Sequence, residues 1–586
     1  GNIQYRENGL LLSSDSMQIF GDEERIVLHN SQYLLSEEKL RGEADRIDFI
    51  NGETGILTLD HTHFSSCPPH KEHWAVSASA LEIDKDKGWG TAKHAVFYLK
   101  DVPVMYLPYL DFPIDDRRKT GLLFPTFSTA QGGGLDINIP IYFNIAPNYD
   151  MTYSPRYNAD HGILHGLEGR YKNRVSEWKV TGAYIDDDKL IGDTNTADSP
   201  ELESTRWLGA LKESGQFNEN WSTLVDYTAV SDIQYFRDWG DVGLDVQKTL
   251  NIKREAQLNY RSNNWSVKSS IVDYQSLDDA PDAIKPYRHW PRVDIFHLGK
   301  SGNFTFTPIY TAQYTYFDHA SLAQAHRIYN APGVSFPMSW QAFKTEATVK
   351  VRRTDFDFTD PGINGITANM PEGHHDITAP MLKLDNHLYF ERDLNFGTSE
   401  LTQTLTPRIF YLYSKYQADQ DELGFFDTTE NVFSYNQLFR ESRFSGYDRI
   451  DDANQVTIAL ESDLIDNATG NNIVSFGIGQ IVYFRDREVV LNSTDNQLVA
   501  INDNDSDAIK KIKNAQNEVI KKTYYRNASD IAMTGRWTLT PTANLIGSMT
   551  IDPYNGDSEE GSLIYHRKYK KGYIFNAGYR YKKNIP

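Results

Sequence analysis

The chain has 586 residues, of which 39% are hydrophobic, 13% aromatic and 24% charged, and its mean hydropathy is −0.55. Its 80 Asp and Glu residues against 59 Lys and Arg residues give a net charge of −21, which argues against nucleic acid as a partner. A single cysteine, Cys67, excludes a disulfide framework within this chain, and no run of about 18 apolar residues is present to form a transmembrane helix.

Residues 1–112 contain a weak internal repeat of a strand, a turn and a second strand. The copies begin at Ser16, Arg46 and Leu81, a spacing of roughly 30–35 residues. Stacked hairpins of this kind indicate a solenoid or an open jelly roll, and an ordinary β-sandwich with a chance similarity is the alternative. The sequence lacks a starting Met and a signal peptide, so we interpret it as a mature or trimmed chain.

A cluster of possible metal ligands lies near the end of this region: His61, His63, Cys67, His70 and His73. Zinc uses such ligands, but their spacing matches no standard zinc site, and two prolines after the cysteine stiffen the middle of the cluster. We therefore predict no metal or other cofactor. A structural role for Cys67, or a disulfide with another cysteine, is the better interpretation.

A proline-rich stretch follows, and we interpret residues 113–133 as a linker between two bodies. The prolines that it shares with the residues just before it are Pro103, Pro108, Pro113 and Pro125. Because proline cannot donate to a ladder, we expect no regular sheet from Val102 to Phe127.

Residues 134–586 are typical of a large antiparallel outer-membrane β-barrel. Their length predicts on the order of 20–25 strands. Some connections are short, such as RKYKKG, and others are long and acidic, such as Asp186–Glu203 and Asn492–Asn527. Short turns at one end and long extracellular loops at the other are typical of this class. Within the last loop, Asp505–Lys522 is predicted either as a short helix or as a solvated loop. The three aspartates from Asp186 to Asp188 are interpreted as a solvated acidic loop rather than a cation site.

Pro140 and Pro155 lie in the first two predicted barrel strands, and Pro147 lies in the turn between them. Two prolines in adjacent strands weaken one local pairing because neither donates to the ladder. A barrel corner or a tolerated proline is the ordinary explanation. Here, however, the weak pairing falls where the first strand must meet the last, so a lateral opening is physically reasonable.

The strand at Asn303–Tyr316 has two different faces. Phe304, Phe306, Tyr310, Tyr314 and Tyr316 share one face, and the opposite face carries mostly hydroxyl and amide side chains. An aromatic face toward lipid and a polar face toward a wet lumen are what a membrane barrel needs. Tyr573–Tyr581 shows the same alternation.

Three segments carry a specific resemblance: YLPYLDFPIDDRRKTGLLFPTF, YFNIAPNYDMTYSPRY and LFRESRFSGYDRIDDANQ, the last spanning Leu438–Gln455. They closely resemble the lipopolysaccharide-assembly outer-membrane protein family LptD. Two departures are the absence of every family cysteine except the one matched by Cys67, and an end at Pro586 that is earlier than expected. We therefore expect both ends to be trimmed.

The resemblance implies an all-β fold, in which a periplasmic jelly roll precedes a transmembrane barrel. It implies that lipopolysaccharide arrives from an LptA-like periplasmic bridge protein and leaves sideways into the outer leaflet through a gate between the first and last strands. A plug lipoprotein, LptE, would occupy the lumen, and Pro140 and Pro155 match the two gate prolines of the family. Acyl chains need an apolar groove in the jelly roll, for which Ile47 and Phe49 are candidates.

Other classes of function remain as alternatives. A porin needs charged constriction loops and no jelly roll. An enzyme or adhesin on a β-scaffold needs a paired-carboxylate or nucleophile constellation, and the sequence contains no recognisable one, so we predict no catalytic residues.

The alternation generates a first prediction. Tyr310→Arg should destabilise the folded barrel by about 2–4 kcal/mol, because it places a charge on the lipid face. Thr311→Arg, one position along, should be tolerated because it faces the lumen. The yield of refolded protein in lipid vesicles measures both, and equal tolerance at the two positions would refute the assignment of faces.

Overall fold

A computed structural model gives the fold of the chain. The structure describes residues 3–7, 10–35, 40–50, 55–68, 73–84, 86–113, 118–123, 125–129, 134–190, 203–240, 250–278, 285–299, 306–360, 373–397, 399–418, 420, 423–492, 495, 497–502, 506–569 and 572–583. The chain divides into two compact units. One comprises Gly1–Gly215 with Asp226–Thr249, and the other comprises Gln216–Val225 with Leu250–Pro586.

The first unit begins with a sheet of eight antiparallel strands in sequence order. The strands are β1 (Ile3–Glu7), β2 (Leu10–Phe20), β3 (Arg25–Leu35), β4 (Leu40–Ile50), β5 (Ile56–Ser65), β6 (Trp74–Asp84), β7 (Trp89–Leu99) and β8 (Val102–Pro113). The predicted repeat is present, because its three copies are the hairpins β2–β3, β4–β5 and β6–β7.

Three of these strands bend at a residue with a left-handed backbone. Asn30, His61 and His94 have φ angles of 50°, 49° and 49°. Asn30 donates to the Asp15 carboxylate at 3.2 Å, and His61 lies 3.6 Å from the Asp45 carboxylate. The positions follow the repeat, so each hairpin contributes a bend, and the side chains on one face meet in a continuous apolar core.

The strand β8 corrects one expectation. Val102–Pro113 is regular sheet despite its prolines, because it is the last strand in the order of the first sheet and needs partners on one side only. Pro103 lies opposite Tyr98, at the register shift between Phe97 and Tyr98, and Pro108 falls at the position opposite His94. The change from one sheet to the next falls between Pro113 and Gly121, inside the predicted linker. The predicted domain boundaries at 112 and 134 stay predictions.

The remainder of the first unit belongs to a second antiparallel sheet. Its strands are β9 (Gly121–Leu122), β10 (Thr126–Thr129), β11 (Leu135–Asn138), β12 (Ile141–Ala146), β13 (Tyr149–Asn158), β14 (Gly162–Lys172), β15 (Ser176–Ile185), β16 (Arg206–Gln216) and β17 (Trp221–Val230). A five-residue helix, α1 (Tyr235–Trp239), follows the last of them. Residues 216–225, at the end of β16 and the start of β17, belong to the second unit.

The second unit consists mainly of antiparallel strands in sequence order. Two of them, β24 and β25, pair with different parts of the same strand, β26. The strands are β18 (Asn251–Arg261), β19 (Trp265–Ser276), β20 (Arg288–Leu298), β21 (Thr307–Asp318), β22 (Gln324–Ser339), β23 (Phe343–Asp360), β24 (Gly373–Leu388), β25 (Phe390–Phe396), β26 (Ser399–Ser414), β27 (Ala453–Asp466), β28 (Asn472–Tyr483), β29 (Ile531–Thr540), β30 (Ala543–Ile551), β31 (Ser558–Lys568) and β32 (Ile574–Lys582). The described residues from Leu135 onward thus hold 22 strands, β11 to β32, as the length predicted, and the all-β fold class is confirmed.

Connections in the second unit alternate in length. Residues 262–264, 340–342 and 541–542 make tight turns, whereas residues 415–452 and 484–530 make long excursions. Consecutive antiparallel strands connect alternately at the two ends of the sheet. The tight turns therefore lie at one end, and the long connections lie at the other. The long connection 484–530 contains a helix, α2 (Asp507–Ile520), so the helical alternative for this segment is the correct one.

The strand β21 confirms the predicted alternation over its described residues, and the residues from Asn303 to Thr305 lie outside them. Gln313 and Thr315 are buried on one face, whereas Tyr310, Tyr314 and Tyr316 lie half-buried on the other. The three tyrosine hydroxyls lie 2.8–2.9 Å from polar side chains of the neighbouring β22, namely Asn330, His326 and Gln324. No helix among the described residues has both the length and the hydropathy to cross a membrane.

Candidate functional site

The strands β11 and β12 both pair with β13, one after the other. We call β11 with β12 the first strand and β13 the second strand, and the ladder between these first two strands is interrupted at the predicted prolines. Asn138 pairs with Arg156 and Ile141 pairs with Tyr153, in a common register. Between these pairs, Ile139–Pro140 lies opposite Ser154–Pro155, and we call these four residues the interruption. Ile139 faces Pro155, and because Pro155 has no N–H to donate back, the ladder is held there by one bond, from the Ile139 N–H to the Pro155 carbonyl oxygen at 3.1 Å.

Residues of the predicted linker cover the other edge of this first strand. The short strand β10 pairs with β11, and β9 pairs with β12. The Leu123 N–H donates to the Pro140 carbonyl oxygen at 2.9 Å. The linker therefore forms edge strands, which the prolines alone did not predict, and it satisfies backbone groups that the first strand would otherwise leave unpaired.

An ion pair on one side of the interruption, and a tyrosine–carboxylate hydrogen bond on the other, join the two strands. On one side, Arg156 of β13 grips Asp136 of β11 through two bonds of 2.9 and 2.6 Å. On the other side, Asp150 accepts from Arg118, Arg170 and the Tyr142 hydroxyl at 2.7–3.0 Å. Two-pronged charge-assisted bonds fix geometry as well as energy, so the flanks are held more firmly than the residues between them.

A cavity of about 820 Å³ lies along these strands. Its lining includes the arginines that pair with Asp136 and Asp150 and several uncharged residues: Arg118, Arg156, Arg170, Tyr142, Thr152, Ser154, Leu164, Leu167 and Trp239. The cavity therefore offers guanidinium groups beside apolar and hydroxyl surface, immediately next to the interruption.

The loop after β17 contributes to this cavity because a buried charge cluster anchors it. Arg206, whose side chain is fully buried, contacts the carboxylates of Asp188, Asp232 and Asp238 at 2.9–3.0 Å. His161 lies 2.7 Å from Asp188 and packs against Trp239 with 4.9 Å between ring centroids. These contacts fix α1, whose Tyr235 and Trp239 side chains are buried.

Asp188 was interpreted from the sequence as part of a solvated acidic loop, and this interpretation is wrong. Its side chain is fully buried, whereas the neighbouring Asp186 and Asp187 are exposed. Burial alone would raise the pKa of Asp188, but the bonds from His161 and Arg206 outweigh burial and hold the pKa below its ordinary value. Sequence reasoning missed this cluster because its members come from four separate segments with no common motif.

The lipid-path candidates Ile47 and Phe49 lie in the apolar core of the first sheet, where both are buried. A cavity of about 730 Å³ lies at the amino-terminal end of the same sheet and is lined in part by Leu12, Tyr33 and Phe64. Burial raises the pKa of Tyr33 to about 12, and its hydroxyl lies 2.9 Å from that of Thr62. The lipid role of Ile47 and Phe49 stays a prediction.

Cys67 lies just after β5 and is half-buried. Its carbonyl oxygen accepts from Arg41 at 2.8 Å, and its N–H donates to the Ser65 hydroxyl at 3.0 Å. His63 contacts the Ser77 hydroxyl at 2.9 Å, and His70 lies outside the described residues. The described part of the chain contains no group of three His, Cys, Asp or Glu side chains that could hold a metal ion.

A second buried network fixes the long connection 415–452 in the other unit. Arg327 of β22 is fully buried and pairs with Asp448 and with Asp427, the latter at 2.7 Å. Glu441 pairs with Lys350 of β23 at 2.7 Å, and Arg443 pairs with Asp451 at 2.8 Å. This connection includes most of Leu438–Gln455, so the acidic and basic residues of that segment are internal anchors.

Residues 204–586 match the family described as LPS transport system D, LptD. The LPS-assembly protein LptD of Hahella chejuensis is 34% identical over 502 residues, which cover 83% of this chain and 61% of that protein. The LPS-assembly protein LptD of Alkalilimnicola ehrlichii is 32% identical over 584 residues, which cover 98% of this chain and 70% of that protein. That of Pseudomonas syringae pv. tomato is 30% identical, covering all of this chain and 63% of its own length. The chain thus spans between 61% and 70% of these relatives.

The charge cluster predicts the effect of a single neutralisation. Asp188→Asn should lower the free energy of unfolding by about 2–3 kcal/mol, because it replaces two charge-assisted bonds around a buried guanidinium. Urea unfolding in lipid vesicles measures the change, and Asp187→Asn, an exposed neighbour, is the matched control. Because the folded pKa of Asp188 lies below its unfolded value of about 3.9, its contribution is present above that pH and disappears as the pH falls below it. Equal stability of the two variants would contradict the assignment of Asp188 as an anchor.

Proposed function

This chain belongs to the LPS transport system D (LptD) family, and we propose that it inserts lipopolysaccharide into the outer leaflet of the outer membrane through a lateral gate between the first and last strands of the barrel. The molecule would arrive from an LptA-like periplasmic bridge protein at the amino-terminal domain. The lumen of the barrel would hold a lipoprotein plug, LptE. The protein would act by binding and guiding a lipid, without covalent chemistry.

The apolar interior of the first sheet supports an entry route for acyl chains. Its core runs from Leu12 through Ile47 to Phe112, near the end of β8. Beyond this end, the ammonium group of Lys119 lies 5.0 Å from the ring centroid of Trp89. The strand β9 begins two residues after Lys119, and it pairs with β12 at the residues that directly follow the interruption. Acyl chains kept from water in this interior would therefore leave it beside the weakest point of the first strand.

The interruption is the observation that carries the proposal. Lipid A has acyl chains that favour hydrocarbon and an anionic sugar that favours water. A slit in the wall satisfies both, because the sugar travels through the wet lumen while the chains pass through the wall. Opening a paired wall exposes backbone groups, each of which costs several kcal/mol in lipid. At the interruption part of that cost is already absent, because Pro155 has no N–H to donate to Ile139, and Pro140 has none to donate on the opposite edge of the first strand, where Leu123 pairs with its carbonyl oxygen.

The cavity beside the interruption fits the same role. Its lining combines Arg118, Arg156 and Arg170, which pair with Asp136 or Asp150, with the apolar side chains of Leu164 and Leu167. An anionic sugar with attached acyl chains needs both kinds of surface, and guanidinium groups bind phosphate well.

Restoring the ladder tests the gate. Replacing both Pro140 and Pro155 with Ala adds two N–H donors, one toward Ile139 across the ladder and one toward Leu123 on the other edge of the first strand, each able to stabilise closed pairing by about 1 kcal/mol. We expect impaired delivery of lipopolysaccharide to the cell surface and greater sensitivity to large hydrophobic antibiotics, at normal abundance and with normal plug binding.

The matched control replaces Pro332 and Pro337 with Ala, because both lie within the strand β22, away from the first two strands. A Pro140/Pro155 variant that delivers lipopolysaccharide as well as this control would show that the two prolines are merely tolerated.

Crosslinking tests the entry route. A photo-reactive side chain at Ile47 or Phe49 should capture lipopolysaccharide in cells, because both positions face the apolar core. Ile50 lies on the opposite, exposed face of the same strand and should capture none. Crosslinks to proteins alone at Ile47 and Phe49 would mean that this sheet is a docking surface instead.

A further inference from the structure

Arg156 connects the interruption to a loop that is distant in sequence. It follows Pro155 directly, and besides its two bonds to Asp136 it donates from Nη1 to the carbonyl oxygen of Trp239 at 2.7 Å. Its guanidinium also lies 5.5 Å from the centroid of the Trp239 ring. We call the bond from Arg156 to the Trp239 carbonyl the loop contact.

The acceptor of the loop contact, the Trp239 carbonyl oxygen, belongs to a helix that is held in place. Trp239 is 1% exposed, and α1 is held through Asp238 and Asp232, whose carboxylates contact the buried Arg206. Moving the Trp239 carbonyl would require displacing Asp232 and Asp238 from that guanidinium. The strand β13 is therefore tied at Arg156 to an anchored loop, on the same side of the interruption as the Asp136 pair.

Another arginine that lines the same cavity makes a two-pronged grip of the same kind, between β14 and β13. This arginine is Arg170, which grips Asp150 through two bonds of 2.7 and 3.0 Å. Its other acidic neighbour is Glu168, on its own strand. Arg156 uses the same two-pronged grip on Asp136 and commits its remaining nitrogen to the loop.

We infer that Arg156 is a positioning residue through which the loop carrying α1 restrains the first two strands, so that this loop sets how readily they part at the interruption. The inference rests on the proposed gate for its biological meaning. Trp239 and Gly240 line the cavity together with Arg156, so a molecule that entered the cavity would meet the loop and the strand at once.

Hydrogen exchange of the full chain in lipid nanodiscs tests the restraint in the absence of lipopolysaccharide. Arg156→Lys keeps the charge opposite Asp136 but lacks the fork that reaches Asp136 and Trp239 together. Losing one charge-assisted bond should speed exchange of the peptide 135–146 about tenfold. Arg170→Lys is the matched control and should leave exchange in the β11 part of that peptide unchanged.

Asp238→Asn supplies a second, independent variant, because it weakens the anchor of α1 without altering a residue of either strand. The inference predicts faster exchange of 135–146 in this variant as well. Wild-type exchange of that peptide in both Arg156→Lys and Asp238→Asn, or equal acceleration in Arg170→Lys, would overturn the restraint. Failure of the gate itself would appear separately, as normal delivery of lipopolysaccharide by the Pro140/Pro155 variant.

Discussion

Every backbone N–H and C=O in a sheet needs a hydrogen-bond partner, and this requirement governs the molecule. Along most strands the ladder meets that need without interruption, and at Ile139–Pro140 it does not. The surroundings compensate for the local loss, since linker residues cover the outer edge, the Arg156–Asp136 pair holds one flank, and the Tyr142–Asp150 bond holds the other. The weak point is thus confined to a few residues instead of spreading along the strand.

Buried charges perform a second task, which is to attach long connections to the sheet. Arg206 and Arg327 are both fully buried, and each is surrounded by carboxylates that come from connections rather than from strands. Burial alone would raise the pKa of Asp427, but Arg327 outweighs it, so the pKa of this loop carboxyl lies below its ordinary value. An uncompensated charge at such depth is very unfavourable, so these connections have few alternative positions.

Local periodicity made much of the fold predictable, whereas contacts between distant segments were not. The period of two identified the faces of β21, and the repeat identified the hairpins of the first sheet. Proline chemistry located the interruption but misjudged Val102–Pro113, because an edge strand tolerates what an inner strand does not. The cluster around Arg206 left no pattern in sequence, because His161, Asp188 and Asp232 meet only after the strands have paired.

The bends at Asn30, His61 and His94 have a consequence for how such a domain can change its size. Each hairpin brings its own corner residue and its own share of the core, so a hairpin is a self-contained module. Duplicating or deleting one would lengthen or shorten the sheet by about 9–10 Å, two strand spacings, while leaving the curvature and the neighbouring modules as they were. Insertion of a single strand would instead reverse the direction of every strand after it. Evolution can therefore adjust the reach of this domain in hairpin-sized steps.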